Sequence, residues 1–378
     1  MDKRNNLFCA KAKLFYLFTF VLACTSKMKA PPPNAPTVPS AELISRCGCK
    51  LNIDPTCTRV LEFERAPKGG VGHQLSELVF ALQLASFQNA ALKMKPFDDV
   101  ISTDSGDSYR FLNSLLGLDF LWRNSQFDTS QLRRVPFSFS GSDPGQCDLI
   151  FHGRYGDCKG GGKMGCFNSP VQRLAFSRFA PCLQDISKSG TWAKRRPKEL
   201  SSEEFNVVWH VRLGDIGNPD VELHKPGDGY YENISTLLAP TFKAAKQVKH
   251  YVLSTWSMLE DSASERYETM FTYLLDSPIF LNVDVEDAFL YFLHADVLVG
   301  SGSSFPTVAP LFSSSVVPVN IAPKHGWNHF AEYIPYGIDL ELDSSFVTPT
   351  PAIIHRLQSA GKCHKLHVGY CTARQREP

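Results

Sequence analysis

Three short stretches carry residue types suited to holding an anionic ligand. In FNVVWHVRLGD, residues 205–215, an apolar run ends in His210, Arg212 and Asp215. On a strand side chains alternate, so Val208, His210 and Arg212 share one face, opposite Val207, Trp209 and Val211. Arg212 then emerges at the carboxyl end, where a guanidinium can grip a diphosphate by paired charged hydrogen bonds and stabilise charge on a leaving phosphate. The plainer account of Arg212 is a surface ion pair with Asp215, but such a pair stabilises little and does not need an apolar strand ending in His, Arg and Asp. In GGVGHQLSELVFALQLA, residues 69–85, Gly69, Gly70 and Gly72 let a backbone approach a ligand closely, and the helix that follows turns its positive end toward whatever binds there. This run is neither a Walker loop nor a GxGxxG fingerprint, and a glycine turn before a helix is often purely structural. In DAFLYFLHADVLVGSGSSFPTVAPLF, residues 287–312, an apolar strand ends in Ser301, Gly302, Ser303, Ser304, Phe305 and Pro306. Hydroxyls and free N–H groups there form a second anion cradle, or an ordinary serine-capped helix with Ser304 near the cap and Pro306 in the first turn. Phe305 is suited to packing on a base or a sugar.

The elements that must position these residues alternate between strands and amphipathic helices, the pattern of α/β units with parallel sheets. Val60–Glu64 reads as a strand, 68–72 as a glycine loop, and His73–Ala90 as a helix with Leu75, Leu78, Val79, Leu82 and Ala85 on one stripe. The glycine- and cysteine-rich stretch Gln146–Cys182 reads as loop. Ser187–Ser202, with Lys194, Arg195, Arg196, Pro197 and Lys198, reads as a solvated interdomain linker. Strands are predicted beyond it at Phe205–Val211, His250–Ser254, Ile279–Val283, Ala295–Gly300 and Val316–Ile321. They describe a doubly wound domain, whose ligand lies beyond the carboxyl ends of the strands.

A chain of 378 residues exceeds what one hydrophobic core usually supports, so two domains with terminal extras are expected. Lys+Arg 39 against Asp+Glu 38 gives a net charge of +1, which argues against a nucleic-acid partner and makes any anion site local. Lys3, Arg4, Lys11 and Lys13 precede the apolar run Leu14–Cys24, the layout of a cleaved signal peptide or a short single-pass signal anchor. Ala30–Ser40, with five prolines, reads as an extended spacer. Nine of the eleven cysteines follow the apolar run, which fits an oxidising compartment with disulfides. Cys363, His364, His367 and Cys371 lack a common zinc spacing, and a Cys363–Cys371 disulfide is the preferred reading. Asn233-Ile234-Ser235 is a glycosylation sequon, in keeping with a lumenal body.

GGVGHQ, HVRLGD and ADVLVGSGSSF, in that order between Gly69 and Phe312, resemble the three signature regions of the superfamily of α1,2-, α1,6- and protein O-fucosyltransferases. The resemblance implies an α/β, GT-B architecture of two Rossmann-like domains facing a cleft. They would span 46–195 on the acceptor side and 196–348 on the GDP-sugar side, between a signal or anchor segment (1–29), a proline-rich stem (30–45) and a C-terminal tail (349–378). It implies inverting transfer of fucose from GDP-fucose to a glycan or glycoprotein acceptor, with no metal or other cofactor, in the Golgi or ER lumen. Carried over by position, Arg212 would contact the β-phosphate and His210 would support that loop. Ser303, Ser304 and Phe305 would line the nucleotide pocket, and Gly70 and Gly72 would border the fucose and acceptor. His73 departs from the pattern: several of these families have Asn there, in a GNQ triplet.

Inversion also requires removal of the acceptor hydroxyl's proton, and His73 and Asp215 are the candidate bases. Asp284, Glu286 and Asp287 offer a rival, metal-clamping reading; Asp287 would otherwise cap a helix or hydrogen-bond the nucleoside. Two further readings are transfer from another GDP-sugar and a secreted glycan-binding relative without catalysis. Trp327, His329, Phe330, Tyr333 and Tyr336 suit either stacking on acceptor sugars or core packing.

Overall fold

Runs of β-branched, leucine and aromatic residues, shielded on both faces, build two parallel sheets. The structure is a computed structural model that describes residues 58–65, 70–88, 90–97, 109–119, 121, 128–136, 147–154, 183–212, 229–254, 261–301, 303–313, 319–321, 350–359 and 361–370. The targeting segment, the stem, Asp215, the aromatic stretch 325–336 and Cys371 lie outside these residues.

The first sheet comprises β1 (Arg59–Glu64), β2 (Ala91–Lys93), β3 (Arg133–Pro136) and β4 (Leu149–Arg154), in the order β2-β1-β4-β3. Val60 pairs with Ala91 on one side and Ile150 on the other. Helix α1 (Val71–Phe87) follows β1, and Leu75, Val79 and Phe80 pack with Leu61 and Phe63 in one core. The Phe63 and Phe80 rings meet edge to face at 5.8 Å. Helix α2 (Phe111–Leu115) is a short connection. β4 corrects the expectation of a loop throughout Gln146–Cys182. Its Leu149, Ile150 and Phe151 are buried, and a strand shielded on both faces lacks the polar alternation that would set it apart from glycine- and cysteine-rich surroundings.

The second sheet comprises β5 (Phe205–His210), β6 (Val248–Leu253), β7 (Ile279–Leu281), β8 (Val297–Val299) and β9 (Val319–Ile321), in the order β7-β6-β5-β8-β9. Helices α3 (Tyr230–Ala244), α4 (Asp261–Leu274), α5 (Val285–His294), α6 (Ser304–Val308) and α7 (Thr350–Ser359) complete this half. Alternation along β5 sorts its side chains as expected. Val208 joins Leu298, the buried face of α5 and the α1 core, whereas Val207, Trp209 and Val211 join residues of α3, α4 and α7. Asn233 of the sequon is exposed in the first turn of α3.

The stretch joining the sheets is less free than its charges imply. Lys194, Arg195, Arg196 and Lys198 are exposed, but Trp192 is buried and its Nε1 donates to the Ser187 carbonyl at 2.7 Å. His294 Nε2 donates to the carbonyls of Trp192 (3.0 Å) and Arg195 (2.6 Å). Two residues after His294, the fully buried Asp296 accepts from Lys362 Nζ (2.5 Å), Lys365 Nζ (2.6 Å) and the Asn206 amide (2.8 Å). This cluster clips the chain after α7 to the amino ends of β5 and β8, beside a bridge between Ala245 and Leu366. Burial lowers the Lys365 pKa, and the Asp296 carboxylate opposes that shift.

Removing one member of a buried charge cluster strands the others, so Asp296→Asn is expected to lower the unfolding free energy by about 3–5 kcal/mol in denaturant titrations. A second expectation concerns His250, whose Nδ1 accepts from Trp209 Nε1 at 3.3 Å. Burial depresses its pKa to about 4, against a weaker opposing effect of Asp276. The unfolded state therefore binds the extra proton first: the stability from neutral His250 is complete above about pH 6.5 and is lost as pH falls toward 4, by up to about 3 kcal/mol. Unfolding free energies of wild type and His250→Gln across that window should show this slope only in the wild type.

Candidate active site

In the second sheet the chain winds outward from β5 through β6 to β7, then returns to the other side of β5 at β8. The carboxyl ends of β5 and β8 thus flank a topological switch point, where open α/β sheets leave a crevice for ligands. Two of the three motifs end there. His210 closes β5, and its Nδ1 lies 2.7 Å from Ser301 Oγ, across the switch point. The His210 carbonyl accepts from the Tyr231 hydroxyl (3.0 Å) and the Gly300 carbonyl from the Tyr230 hydroxyl (2.9 Å). Burial raises the pKa of both phenols, which keeps them neutral donors. The His210 ring meets Phe292 and Phe305 edge to face, at 5.5 and 6.1 Å.

Arg212 stands half-buried two residues past β5, after Val211, whose amide donates to the Leu253 carbonyl at 2.9 Å. Ser254, just past β6 at the same sheet end, has a buried hydroxyl with no hydrogen-bond partner among the described residues. Nothing in the sequence marked it, because a serine after a strand is a common loop residue.

The first motif docks onto the third, and this changes the meaning of its glycines. A Cβ on Gly72 would lie 2.3 Å from Phe305 N, 2.5 Å from Phe305 Cα and 2.7 Å from the Ser304 carbonyl carbon. The close approach that Gly72 permits is to protein backbone, where approach to a ligand was expected. A Cβ on Gly70 would meet nothing within 4 Å, so that position borders open space. Ser76 Oγ donates to the Gly72 carbonyl (2.7 Å) and the Gln74 amide to the Gly70 carbonyl (3.1 Å), which ties down the first turn of α1. His73 is 31% exposed, and its Nε2 lies 2.9 Å from Oε1 of the fully buried Glu77. The sequence signal for Glu77 is a carboxylate one helical turn after a histidine, at the i, i+4 spacing of α1.

In the third motif the cap is Ser303, one residue before the expected Ser304. Its Oγ accepts from the Phe305 amide (3.3 Å), and its carbonyl accepts from Thr307 Oγ1 (2.9 Å). α6 is five residues long, so the expected cradle of free N–H groups shrinks toward the half-buried Ser303 and Ser304 side chains. The Phe305 ring is stacked on Phe289 (5.7 Å) and set edge-on to Phe292 (5.0 Å). It floors the site by packing against protein, where packing on a base or sugar was expected.

Asp287 lies in the first turn of α5, and the cap there is Asp284, whose Oδ1 accepts from the Asp287 amide at 2.7 Å. Arg195 pairs with Glu286 and lies 4.0 Å from Asp287. Partial burial, followed by the Asp284 carboxylate, raises the Asp287 pKa. The acidic trio is thus a helix N-terminus with an arginine counter-ion, and among the described residues no group of three or more His, Cys, Asp or Glu is arranged to hold a metal ion.

No protein-family model matches this chain, and no curated protein matches it. Among solved structures, those similar to it include glycosyltransferases. A mutant of Arabidopsis thaliana FUT1 in complex with GDP is similar over 77% of this chain and 76% of its own, at 13% identity and a TM-score of 0.37. POFUT1 in complex with GDP is similar over 68% of this chain and 95% of its own, at 13% identity and a TM-score of 0.30. At these scores the likeness carries no argument about chemistry.

The two glycines should respond differently to a methyl group. Gly72→Ala forces backbone to move and is expected to cost about 1–3 kcal/mol of stability, with loss of ligand binding at the switch point. Gly70→Ala should leave thermal stability within about 0.5 kcal/mol of wild type. Melting curves of the two variants side by side check this, and equal effects would contradict the docking.

Proposed function

We propose that this chain is a glycosyltransferase that takes a GDP-sugar donor, GDP-fucose in the favoured reading, and transfers the sugar with inversion to a glycan or glycoprotein acceptor. The observation that carries the reading is the contact of His210 with Ser301 across the switch point. It joins HVRLGD to GSGSSF, while Gly72 seats GGVGHQ on the same loop. Three stretches far apart in sequence thus meet beside the carboxyl ends of β5 and β8, and sheets of this topology bind ligands at such a switch point.

In this proposal Arg212 holds the β-phosphate and stabilises the charge it gains as the glycosidic bond breaks, and the fixed imidazole of His210 supports the loop that carries it. Gly70, Ser303 and Ser304 border the donor, and Asp287 is a candidate for the nucleoside at the rim. In this proposal the positive charge of Arg212 takes the place of a metal at the diphosphate. His73 and Asp215 are the candidate bases. Residues 46–195 serve the acceptor and 196–348 the donor. Residues 1–29 direct the chain into the secretory pathway, as a cleaved signal or an anchor; among the described residues no helix is long and apolar enough to cross a membrane.

GDP release from GDP-fucose, GDP-mannose and UDP-sugars by the purified protein tests the proposal. The expected pattern is turnover of GDP-fucose, unchanged by EDTA and lowered on the order of 10²–10³-fold in Arg212→Ala. Preference for another donor would replace fucose in the assignment, and loss of activity in EDTA would overturn the metal-free mechanism. GDP binding without turnover, even with glycan acceptors present, would leave a binding protein.

A further inference from the structure

The placement of the pair formed by His73 and Glu77 is unusual. Carboxylates are rarely fully buried, because removing the charge from water is costly unless a partner compensates it. Glu77 is fully buried on α1, whose neighbouring side chains Leu75, Leu78 and Val79 belong to the core. Its Oε1 lies 2.9 Å from His73 Nε2, one turn nearer the helix N-terminus, and that imidazole is 31% exposed. Helical side chains lean toward the N-terminus, so the ring is carried to the end of α1 that abuts Ser304 and Phe305. The contact is a close charge approach without hydrogen-bond geometry at Oε1, and a partly exposed imidazole beside a buried carboxylate is an arrangement in which histidine takes a proton and the acid stabilises its charge. A simple surface pair would leave both groups in water.

We infer that His73 is the general base of the transfer and that Glu77 is its positioning residue; this rests on the glycosyltransferase reading above. The acceptor hydroxyl, or water in donor hydrolysis, directs an oxygen lone pair at the anomeric carbon and forms the new C–O bond. The bond from that carbon to the β-phosphate oxygen breaks, and its electron pair leaves with GDP. The hydroxyl proton passes to the ring nitrogen of His73 away from Glu77, the imidazolium is neutralised by the Glu77 carboxylate, and the proton then returns to solvent. Asp215 has no part in this proton transfer.

The test uses the full chain, with GDP affinity measured by calorimetry and GDP release from GDP-fucose measured in parallel. His73→Gly should keep the wild-type GDP affinity and lose kcat on the order of 10²-fold, and added imidazole should restore part of the loss. Glu77→Gln, nearly isosteric, should lower kcat by about tenfold at unchanged KM, and that loss should vanish in the His73→Gly background because both residues serve one step. Wild-type kcat in either single variant overturns the inference. So does a Glu77→Gln loss that persists without His73, which would mark a structural acid, or a His73→Gly loss that imidazole does not relieve. Should Glu77→Gln fail to fold, the His73→Gly rescue decides alone. Wild type that binds no GDP and turns over no GDP-sugar brings down the glycosyltransferase reading itself, whereas turnover with inert variants removes only the dyad.

Discussion

The absent side chain at Gly72 is the constraint on which the assembly of the site depends. With Phe305 N only 2.3 Å from where a β-carbon would stand, the first turn of α1 and the loop after β8 meet backbone to backbone. Packed interiors do not stretch to admit an extra carbon at that distance, so the contact is all or nothing. Through it the helix that follows β1 is registered against the switch point of the second sheet. His73, one residue on, inherits its position from the same contact.

The loop that Gly72 touches is held from beneath by aromatic rings. Phe289 and Phe292 of α5 bracket Phe305, and His210 meets both Phe292 and Phe305 edge to face. The imidazole is then fixed at its rim by Ser301. Edge-to-face contacts and a directed hydrogen bond restrict a side chain more than burial alone does, since burial has no preferred orientation. The strand end bearing Arg212 therefore leaves the sheet from a stiff base, while Ser303 holds the opposite wall as a helix cap.

Two buried carboxylates show how differently one chemical group is used in this fold. Asp296, at the amino ends of β5 and β8, is matched by two lysines and a backbone amide and fastens the C-terminal segment. Glu77, on α1, faces a ring that solvent reaches. A charge surrounded by counter-ions anchors; a charge beside a partly wet imidazole can respond to what binds there.

The sequence by itself determined the parallel α/β character, the second sheet's five strands, and the alternation that puts Val208 and His210 opposite Val207 and Trp209, because these depend on local periodicity. It also singled out the three motifs, whose residue types are unusual at the ends of apolar runs. Only the tertiary structure decided what those residues touch. It made Leu149–Arg154 a central strand, moved the α6 cap to Ser303 and the α5 cap to Asp284, turned Phe305 inward, and gave Gly72 a protein partner. It also set Glu77 against His73 at 2.9 Å with the acid fully buried. Spacing along the chain places that pair within one helical turn, but burial depends on what packs against the helix from elements distant in sequence, and no local pattern encodes that.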